Sequence, residues 1–295
     1  MWNLMRLHNV GGVAARICVV GSVNMDTVFD VEVLPRPGET VLATSVRATP
    51  GGKGANQAVA AARAGARVQF VGAVGDDSAA EHLRTHLAVN GVGTEGLITV
   101  AGPSGTAVVM VESAGENAIV VAPGANGDLT VDSAAVRAII ADCDVLLLQL
   151  EIPVATAAAA ARDARAAGAV VMVNASPAGR DPHELAELTD VLIVNETEAG
   201  HWVWPVEHRV ITRGAAGATY TGADGDFTVA APTVQAVDTA GAGDVFAGVL
   251  AAGWLTGRDH ALRRACAAGA LATLVPGAGD CAPLSEAIDD AVVGN

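Results

Sequence analysis

A glycine-rich segment at residues 50–58, Pro-Gly-Gly-Lys-Gly-Ala-Asn-Gln-Ala, carries polar side chains at a spacing that suits ligand binding. Glycines ahead of a predicted helix let a ligand approach the backbone and leave N–H groups exposed. Lys53 and Asn56 are three residues apart, so they lie on one face of the helix start and can hold hydroxyl groups or an anion. The Walker A spacing is absent. The alternative is a glycine-rich turn that only begins a helix.

A second segment, residues 237–248, reads Val-Asp-Thr-Ala-Gly-Ala-Gly-Asp-Val-Phe-Ala-Gly. Its small residues Gly241, Ala242 and Gly243 expose consecutive N–H groups at a predicted helix N-terminus. This pattern predicts an anion hole for the charge that develops on a transferring phosphoryl group. Asp244 lies beside the hole, where it can accept a proton from a hydroxyl nucleophile. The alternative role of Asp244 is a favourable interaction with the helix dipole.

Further polar side chains follow buried strands of the predicted sheet. Asn24 and Asp26 come after the first strand and, two residues apart, point the same way, which suits a polyhydroxyl ligand. An Asx turn is the alternative for this pair. Glu151 ends another strand. Asn195 and Glu198 end a third, where they can serve phosphate or metal-bound water, or form an N-terminal capping box.

Alternating strands and helices must position these residues. Short apolar runs are predicted as buried strands, and alanine-rich or capped stretches between them as helices, which indicates a parallel sheet covered on both faces. The strands are predicted at 17–21, 67–74, 145–148, 170–173 and 191–194. The helices are predicted at 51–64, 76–90, 130–141, 154–167, 181–188, 242–256, 259–273 and 283–293.

Two other regions alternate apolar and polar residues between glycine and proline turns, which is typical of half-exposed, antiparallel-type strands. These strands are predicted at 27–34, 40–48, 97–100, 106–112 and 117–122. The sequence therefore predicts an α/β domain formed by residues 17–25, 51–95 and 123–295. A small β-sheet lid is predicted from residues 26–50 and 96–122.

Composition excludes several classes of function. With 17 Lys and Arg against 32 Asp and Glu, the net charge is −15, and a nucleic-acid partner is not expected. Apolar runs such as residues 143–148 are far shorter than the roughly 20 residues that span a bilayer, so no membrane partner is expected. Four cysteines without a CxxC pair fit free thiols in the cytoplasm. Residues 1–16 are predicted to lead into the first strand or to be a start-site extension, and not to form a signal peptide.

These segments resemble the signatures of the ribokinase family of carbohydrate kinases. The first signature is similar to residues 51–59 and the second to residues 238–244, with 21–26, 149–151 and 195–198 in the family's order. The resemblance covers about residues 17–290. It implies an α/β, ribokinase-like three-layer sandwich with a mostly parallel central sheet and a small β-sheet lid. It also implies ATP-dependent phosphorylation of a small sugar, D-ribose, to its 5-phosphate, with Mg²⁺ bound to ATP.

The resemblance implies roles for individual residues, with Asp244 as the base and Gly241, Ala242 and Gly243 as the anion hole. The residues implied to bind the sugar are Asn24, Asp26, Gly52, Lys53, Asn56, Glu151 and Asp244. Those implied on the nucleotide side are Asn195, Thr212, Gly214 and Gly243, with Asn195 and Glu198 towards phosphate and Mg²⁺. Those implied around an activating K⁺ ion are Asp238, Ala240, Ala272, Val275, Gly277 and Cys281. A homodimer formed through the β lid is also expected.

The sequence departs from the family pattern at three places. Only residues 199–210 lie between the Asn-x-x-Glu motif and the Thr-x-Gly strand, Cys281 stands where a Ser is usual, and Ala265-Cys266 replaces an Asn near adenine. Alternative functions are a kinase of deoxyribose, fructose or adenosine, and a non-catalytic sugar or nucleotide sensor. Asp244 favours an enzyme, because a pure binding protein needs no base.

Overall fold

This computed structural model describes residues 14–113, 116–179, 182–223 and 225–294; the predicted leader lies outside it up to residue 13. Within these ranges the strands are β1 (Arg16–Val20), β2 (Asn24–Val31), β3 (Ala43–Gly51), β4 (Arg67–Val74), β5 (Val92–Thr99), β6 (Thr106–Glu112), β7 (Asn117–Ala122), β8 (Val145–Leu148), β9 (Val170–Asn174), β10 (Val191–Asn195), β11 (His208–Thr212), β12 (Ala218–Gly222) and β13 (Phe227–Val229). The α-helices are α1 (Lys53–Arg63), α2 (Ser78–Val89), α3 (Ala134–Ala141), α4 (Val154–Ala166), α5 (His183–Ala186), α6 (Glu196–Ala199), α7 (Ala242–Gly253), α8 (Arg258–Ala272) and α9 (Ser285–Val293).

Nine strands form one large sheet in the order β13-β12-β11-β10-β9-β8-β1-β4-β5. Every pair from β5 to β11 is parallel, and β12 and β13 are added antiparallel at the other edge. In the central strand β8 all four side chains are buried, as expected for a strand covered on both faces. The predicted mostly parallel sheet is therefore confirmed.

Helices cover both faces of this sheet, which gives three layers. Alternate residues of β1 separate the two cores: Ile17 and Val19 pack with α1, α2, α7 and α8, whereas Cys18 and Val20 pack with α3 and α4. The two-residue period of a strand explains this division, because successive side chains point to opposite faces. The carboxyl ends of the parallel strands consequently share one edge, where the predicted site residues lie.

The small sheet has four strands in the order β3-β2-β6-β7. Two antiparallel pairs, β2–β3 and β6–β7, are joined by a parallel pair, β2–β6, so the expectation of purely antiparallel pairing was wrong for that pair. Strands β6 and β7 have the predicted bounds, whereas β2 begins and β3 ends three residues away from the prediction. Both extensions run towards the large sheet, because Asn24 pairs with Gly51 at the junction.

The predicted antiparallel strand at 97–100 was wrong. Residues 97–99 belong to β5, which pairs parallel with β4 at the edge of the large sheet, and the small sheet resumes only at β6. Gly93, Thr94, Glu95 and Gly96 interrupt the apolar pattern between the buried Val92 and Leu97. An edge strand tolerates this composition. The first half of β5 therefore lacks the continuous apolar run that predicts a buried parallel strand.

The short crossover between β10 and β11 leaves the two strands paired and buries its own aromatic side chains. The two strands are parallel in continuous register, with Val191 opposite His208. After the single turn of α6, Trp202 and Trp204 are buried with ring centroids 5.7 Å apart, and Trp202 Nε1 donates a 2.8 Å hydrogen bond to Ala175 O. The two indoles thus pack in the core on this face, where the crossover has no longer helix.

Candidate active site

Asp244 lies in the first turn of α7 and is buried. Its Oδ2 accepts a hydrogen bond from Asn56 Nδ2 at 3.1 Å, and its Oδ1 accepts one from Gln57 Nε2 at 3.0 Å. Gly241 precedes the helix with φ +76°, a backbone conformation that favours glycine. The carboxylate and the N–H groups of the helix start therefore lie together.

The close approach of α1 and α7 explains why two residues of α1 reach Asp244. Gly248 lies about one turn after Asp244, and a Cβ atom built on it would be 2.3 Å from Gln57 O. Any side chain at this position would push α7 away from α1. A glycine at 248 is thus part of what brings Asn56 and Gln57 within hydrogen-bonding distance of the carboxylate.

Lys53 supplies positive charge beside Asp244. The negative charge of Asp244, more than those of Glu151 and Glu198, raises the pKa of the Lys53 ammonium, although burial opposes the shift. Lys53 and Asp244 line a polar cavity of about 150 Å³. Its other lining residues are Asn174, Ser176, Ile193, Asn195, Glu198, Thr212, Gly241 and Gly243.

Glu151 fixes the start of α1 against the end of β1. Its Oε2 accepts hydrogen bonds from Ser22 Oγ at 2.6 Å and from the backbone N–H of Lys53 at 3.1 Å. Gly52, with φ +89°, immediately precedes the helix, and a Cβ atom on it would lie 2.8 Å from Val23 Cα. The predicted sugar-binding residues at 52, 53 and 151 are therefore in one cluster.

Asp26 lies on β2, at the junction of the two sheets. Burial, with a smaller contribution from the charge of Glu151, raises the pKa of its carboxyl to about 6, against the lowering effect of hydrogen bonds from Ala107 N–H and Asn24. The Ala107 N–H to Asp26 Oδ1 distance is 3.1 Å. Asn24 is itself buried, and its Oδ1 accepts a 2.8 Å hydrogen bond from Asn126 Nδ2.

Asn195 and Glu198 form the capping box of α6. Asn195 Oδ1 accepts from the Glu198 N–H at 2.8 Å, and Glu198 Oε2 accepts from the Asn195 N–H at 2.9 Å. The capping alternative is thus realised, and both side chains also line the cavity that contains Lys53. A role towards phosphate is compatible with this geometry because each side chain has a further oxygen or nitrogen atom.

A larger cavity of about 500 Å³ adjoins the polar one. Asn195, Thr212 and Gly243 line both cavities, so the two spaces meet at these residues. All four residues predicted on the nucleotide side line the larger cavity. Its lining also includes Phe246 and Cys266, and burial raises the pKa of the Cys266 thiol to about 12, so this part of the lining is neutral.

Asp238 joins two loops near the start of α7. Its Oδ1 accepts from the Ala240 N–H at 2.9 Å and its Oδ2 accepts from the Gly277 N–H at 2.8 Å. Cys281 Sγ lies 3.3 Å from Ala278 O and 3.9 Å from Ala240 O, and burial raises its pKa to about 11.

The other predicted cation residues lie in the same loops. Ala272 ends α8, and its carbonyl accepts a hydrogen bond from the Val275 N–H at 3.2 Å. In the described ranges no group of three or more His, Cys, Asp or Glu side chains has metal-binding geometry. Also in those ranges, no helix has the length and apolarity to cross a membrane.

Several polar residues of the site were not predicted from the sequence. They are Ser22, Gln57, Asn126, Gln149 and Asn174, each bonded to a predicted site residue or to Gln57. Gln57 directly follows Asn56, and Gln149 directly precedes the Leu-Glu pair at 150–151. Both glutamines occupy buried positions, Gln57 on the predicted helix and Gln149 directly after a predicted strand. Because buried polar groups need hydrogen-bond partners, these positions could have indicated that both side chains bond to other polar residues of the site.

Comparison with known proteins identifies the family. The model of the pfkB family carbohydrate kinases matches residues 14–285. The chain belongs to the pfkB family of carbohydrate kinases. Within this family, the chain is 36% identical over 290 residues to the ribokinase of Bacillus subtilis, which covers 93% of this chain and 98% of that relative. It is 36% identical to the Haemophilus influenzae ribokinase over 292 residues, covering 90% of this chain and 95% of that relative.

Solved structures of the pfkB family share the fold. The Thermotoga maritima ribokinase superimposes with a TM-score of 0.86 at 30% identity, over 95% of this chain and 100% of the other. The Arabidopsis thaliana ribokinase, solved in complex with ribose and ATP, gives the same TM-score and identity over 95% of this chain and 99% of the other. The ribokinase-like three-layer fold expected from the motifs is therefore confirmed.

Proposed function

We propose that this chain transfers the γ-phosphoryl group of ATP to the primary hydroxyl of D-ribose, which yields ribose 5-phosphate and ADP. The observation that carries the proposal is the meeting of the two cavities at Asn195, Thr212 and Gly243, with Asp244 on the polar side. A nucleotide in the larger cavity can present its terminal phosphate there to a sugar in the smaller one. Extensive similarity to ribokinases supports ribose as the sugar.

In this proposal Asp244 accepts the proton of the sugar hydroxyl as the hydroxyl oxygen attacks the γ-phosphorus. The new P–O bond forms while the bond to the β–γ bridging oxygen breaks, and ADP leaves. Backbone N–H groups of Gly241, Ala242 and Gly243 stabilise the negative charge that develops on the phosphoryl oxygens. Lys53 adds a cationic group to the same cavity.

Sugar binding is assigned to side chains and glycines around the start of α1. The residues proposed for this role are Asn24, Asp26, Gly52, Lys53, Asn56 and Glu151. Carboxylate and amide oxygens among them can accept hydrogen bonds from hydroxyl groups. The attachment of the small sheet here supports its proposed role as a lid: β2 begins at Asn24 and β3 ends at Gly51, so closure of the sheet would exclude water from the sugar.

The residues present fit a Mg²⁺ ion that accompanies ATP. Mg²⁺ takes oxygen ligands and is usually bound through one or two carboxylates together with substrate phosphates. Glu198 offers a carboxylate in the polar cavity, and Asn195, to which it is hydrogen-bonded, lies at the junction of the two cavities. When bound, Mg²⁺ neutralises charge on the phosphate oxygens, while Asn195 and Glu198 orient the phosphate side of the nucleotide.

A K⁺ site is proposed where Asp238 joins the two loops. Its candidate ligands are the Asp238 carboxylate and the carbonyl oxygens of Ala240, Ala272, Val275 and Gly277, which are hard donors suited to such an ion. The neutral Cys281 thiol faces the same loops. The hydrogen bonds of Asp238 to Ala240 and Gly277 also fit a purely structural role, which is the competing interpretation.

A homodimer through the small sheet is also proposed. Strand register places Val46, Val108 and Val120 on one face with Phe29, opposite the face that carries Asp26. These valines are 62%, 37% and 65% exposed. A second copy of the chain would cover this apolar face.

Light scattering should show a dimer, and Val120→Lys should dissociate it. Val89→Lys, on the exposed end of α2, is the control and should leave the dimer intact. A monomeric unmodified protein would contradict the proposal.

A cytoplasmic location is proposed as well, supported by four buried cysteines that form no disulfide.

The central experiment is ADP release with Mg-ATP and, in turn, ribose, deoxyribose, fructose, adenosine and fructose 6-phosphate. Ribose should give the highest kcat/KM, and phosphorus NMR should place the phosphate on its primary hydroxyl. A higher kcat/KM for another acceptor would replace ribose as the substrate. No phosphorylation of any acceptor, with sugar binding retained, would favour a sensor.

A further inference from the structure

Buried amide side chains form a chain of hydrogen bonds that ends on Asp244. Gln57 Nε2 donates to Asp244 Oδ1 at 3.0 Å and to Asn174 Oδ1 at 3.2 Å, while Gln149 Nε2 donates to Gln57 Oε1 at 2.8 Å. Gln57 and Gln149 are both 0% exposed. These two glutamines therefore act on the reaction only through their neighbours.

A backbone carbonyl sets the direction of the chain. Asn174 Nδ2 donates to Ile193 O on β10, so the Asn174 side-chain oxygen faces Gln57. Gln57 must then present its NH₂ group to both Asn174 and Asp244, which leaves its oxygen for the Gln149 NH₂ group. If the Gln57 amide turned over, its oxygen would face the Asp244 carboxylate and its NH₂ group would face that of Gln149.

Asn56 and Gln57 hold the two oxygens of Asp244 from adjacent positions of α1. Asn56 is also a proposed sugar ligand, so its removal affects binding and chemistry together. Gln57 differs because it bonds to Asp244 while its own side chain is fully buried, at 0% exposure against 6% for Asn56, so it has no surface with which to contact a sugar. The rigid contact of α1 with Gly248 keeps this donor in place.

We propose that Gln57 is a positioning residue that holds the Asp244 carboxylate in the orientation that receives the hydroxyl proton, with Gln149 and Asn174 fixing the direction of its amide. The proton passes from the sugar hydroxyl to Asp244, and Gln57 only donates hydrogen bonds. The inference rests on the proposed function, since that function gives Asp244 a proton to accept.

The test compares Gln57→Met and Gln149→Met with Val59→Ala, a buried change on the same helix as Gln57. Steady-state kcat and sugar KM are measured with Mg-ATP across pH 5–9, together with Tm. For Gln57→Met we expect kcat to fall about 10- to 100-fold, as for a misplaced catalytic group, with sugar KM within about twofold of the unmodified enzyme. The acid limb of the kcat profile should move to higher pH, because the carboxylate loses a donor that favours its charged form.

The second glutamine gives an independent measure. Gln149→Met keeps the Gln57 amide that donates to Asp244 but removes the donor that fixes the direction of that amide. We therefore expect a smaller fall in kcat and a smaller shift of the acid limb than for Gln57→Met. Val59→Ala should lower Tm and leave the acid limb unmoved. Lys53, Glu198 and the Cys281 thiol, the titratable groups around Asp244, are retained in all three variants.

Failure of the inference is distinct from failure of the proposed function. An unmodified enzyme that phosphorylates no acceptor overturns the function and the inference with it. An active enzyme in which Gln57→Met keeps kcat and the acid limb, or raises KM as much as it lowers kcat, overturns the positioning role alone. If Gln57→Met does not fold, Gln149→Met decides: an unmoved acid limb overturns the proposal.

Discussion

Asp244 and Asp26 are two carboxylates of the candidate site in contrasting surroundings, since Asp244 is buried and Asp26 is half-buried. Asp244 begins a helix of the large domain, accepts two side-chain amide hydrogen bonds and faces the Lys53 ammonium. Asp26 lies on a strand of the small sheet and faces the carboxylate of Glu151. Burial raises the pKa of Asp26 to about 6 because its hydrogen bonds compensate only part of the lost hydration.

The proposed function gives these two chemically identical groups different roles, a base at Asp244 and a sugar-binding group at Asp26. A base must be aimed at the hydroxyl that reacts, and the two amide donors hold the Asp244 carboxylate in one orientation beside Lys53. A binding carboxylate needs its full set of partners only when the sugar hydroxyls arrive. The hydrogen bonds of Asp26 in the free protein therefore leave part of its lost hydration uncompensated, and under the proposed function the sugar hydroxyls would supply the missing donors.

The largest expected effect is on turnover by Asp244→Asn. Asn is nearly the same size but accepts no proton from the hydroxyl, so kcat should fall about 10²–10⁴-fold while sugar and ATP still bind. Stopped-time ADP assays and calorimetry on the same preparation measure the two properties. Turnover above half that of the unmodified enzyme would refute the assignment of Asp244 as base.

Asp26→Ala should act on binding. Removing the carboxylate leaves sugar hydroxyls and the Ala107 N–H without an acceptor, which costs about 1–3 kcal/mol, or roughly 10- to 100-fold in sugar affinity. Calorimetric titrations with ribose and with ATP are the measurement. Equal losses for the two ligands would remove the distinction between the carboxylates.

Sugar affinity should also depend on pH through Asp26. If the ionised carboxylate accepts a hydroxyl hydrogen bond, then kcat/KM for the sugar falls about tenfold at pH 5, one unit below its pKa of about 6. Asp26→Asn is the control, because it should lose this part of the pH profile. A variant that keeps the full dependence would assign the titration to another group.

The same ionisation should destabilise the free protein at neutral pH. The pKa of Asp26 rises from 3.8 to about 6 on folding, so its stabilising contribution is complete below pH 3.8 and is lost as pH rises through about 6. Asn does not ionise. Asp26→Asn should therefore raise the free energy of unfolding at pH 8 by on the order of 1–3 kcal/mol, and by little near pH 4. Urea unfolding without sugar at both pH values checks the sign.

The smallest expected effect concerns Cys281. A Ser hydroxyl is a harder donor than the neutral thiol, so Cys281→Ser should lower the K⁺ concentration for half-maximal activity about severalfold with little change in kcat. Turnover is compared in KCl, NaCl and LiCl at matched ionic strength and saturating Mg-ATP. Identical rates with and without K⁺ would leave Asp238 with its structural role only.

The sequence predicted the elements that have strong patterns. Bounds for β4, β6, β7 and β8 are correct because their apolar residues run without interruption or alternate cleanly. Strand β5 was wrongly predicted as a strand of the small sheet, because the glycines in its first half interrupt the apolar pattern expected of a parallel strand. Sequence also places Asp244 at a helix start, since small residues before a periodic run predict an exposed N-terminus.

The contacts within the site needed the folded chain. Gln57 and Asp244 are 187 positions apart, and nothing local to Gln57 indicates which partner its amide meets. The Asn195–Glu198 pair shows the opposite case: its spacing alone predicted either a capping box or a role towards phosphate or metal-bound water, and the structure contains the capping box. Long-range partners of buried amides depend on helix packing, which a local pattern does not encode.

The crossover after β10 gives the protein an optical reporter. Trp202 donates to the carbonyl of Ala175, whose neighbour Ser176 lines the polar cavity, and Trp204 lies against the first indole. Trp254 belongs to a separate cluster with His208 and Tyr220. Intrinsic fluorescence of a Trp254→Phe variant would therefore weight the signal towards the site, and ligand binding could be followed by emission without any attached dye.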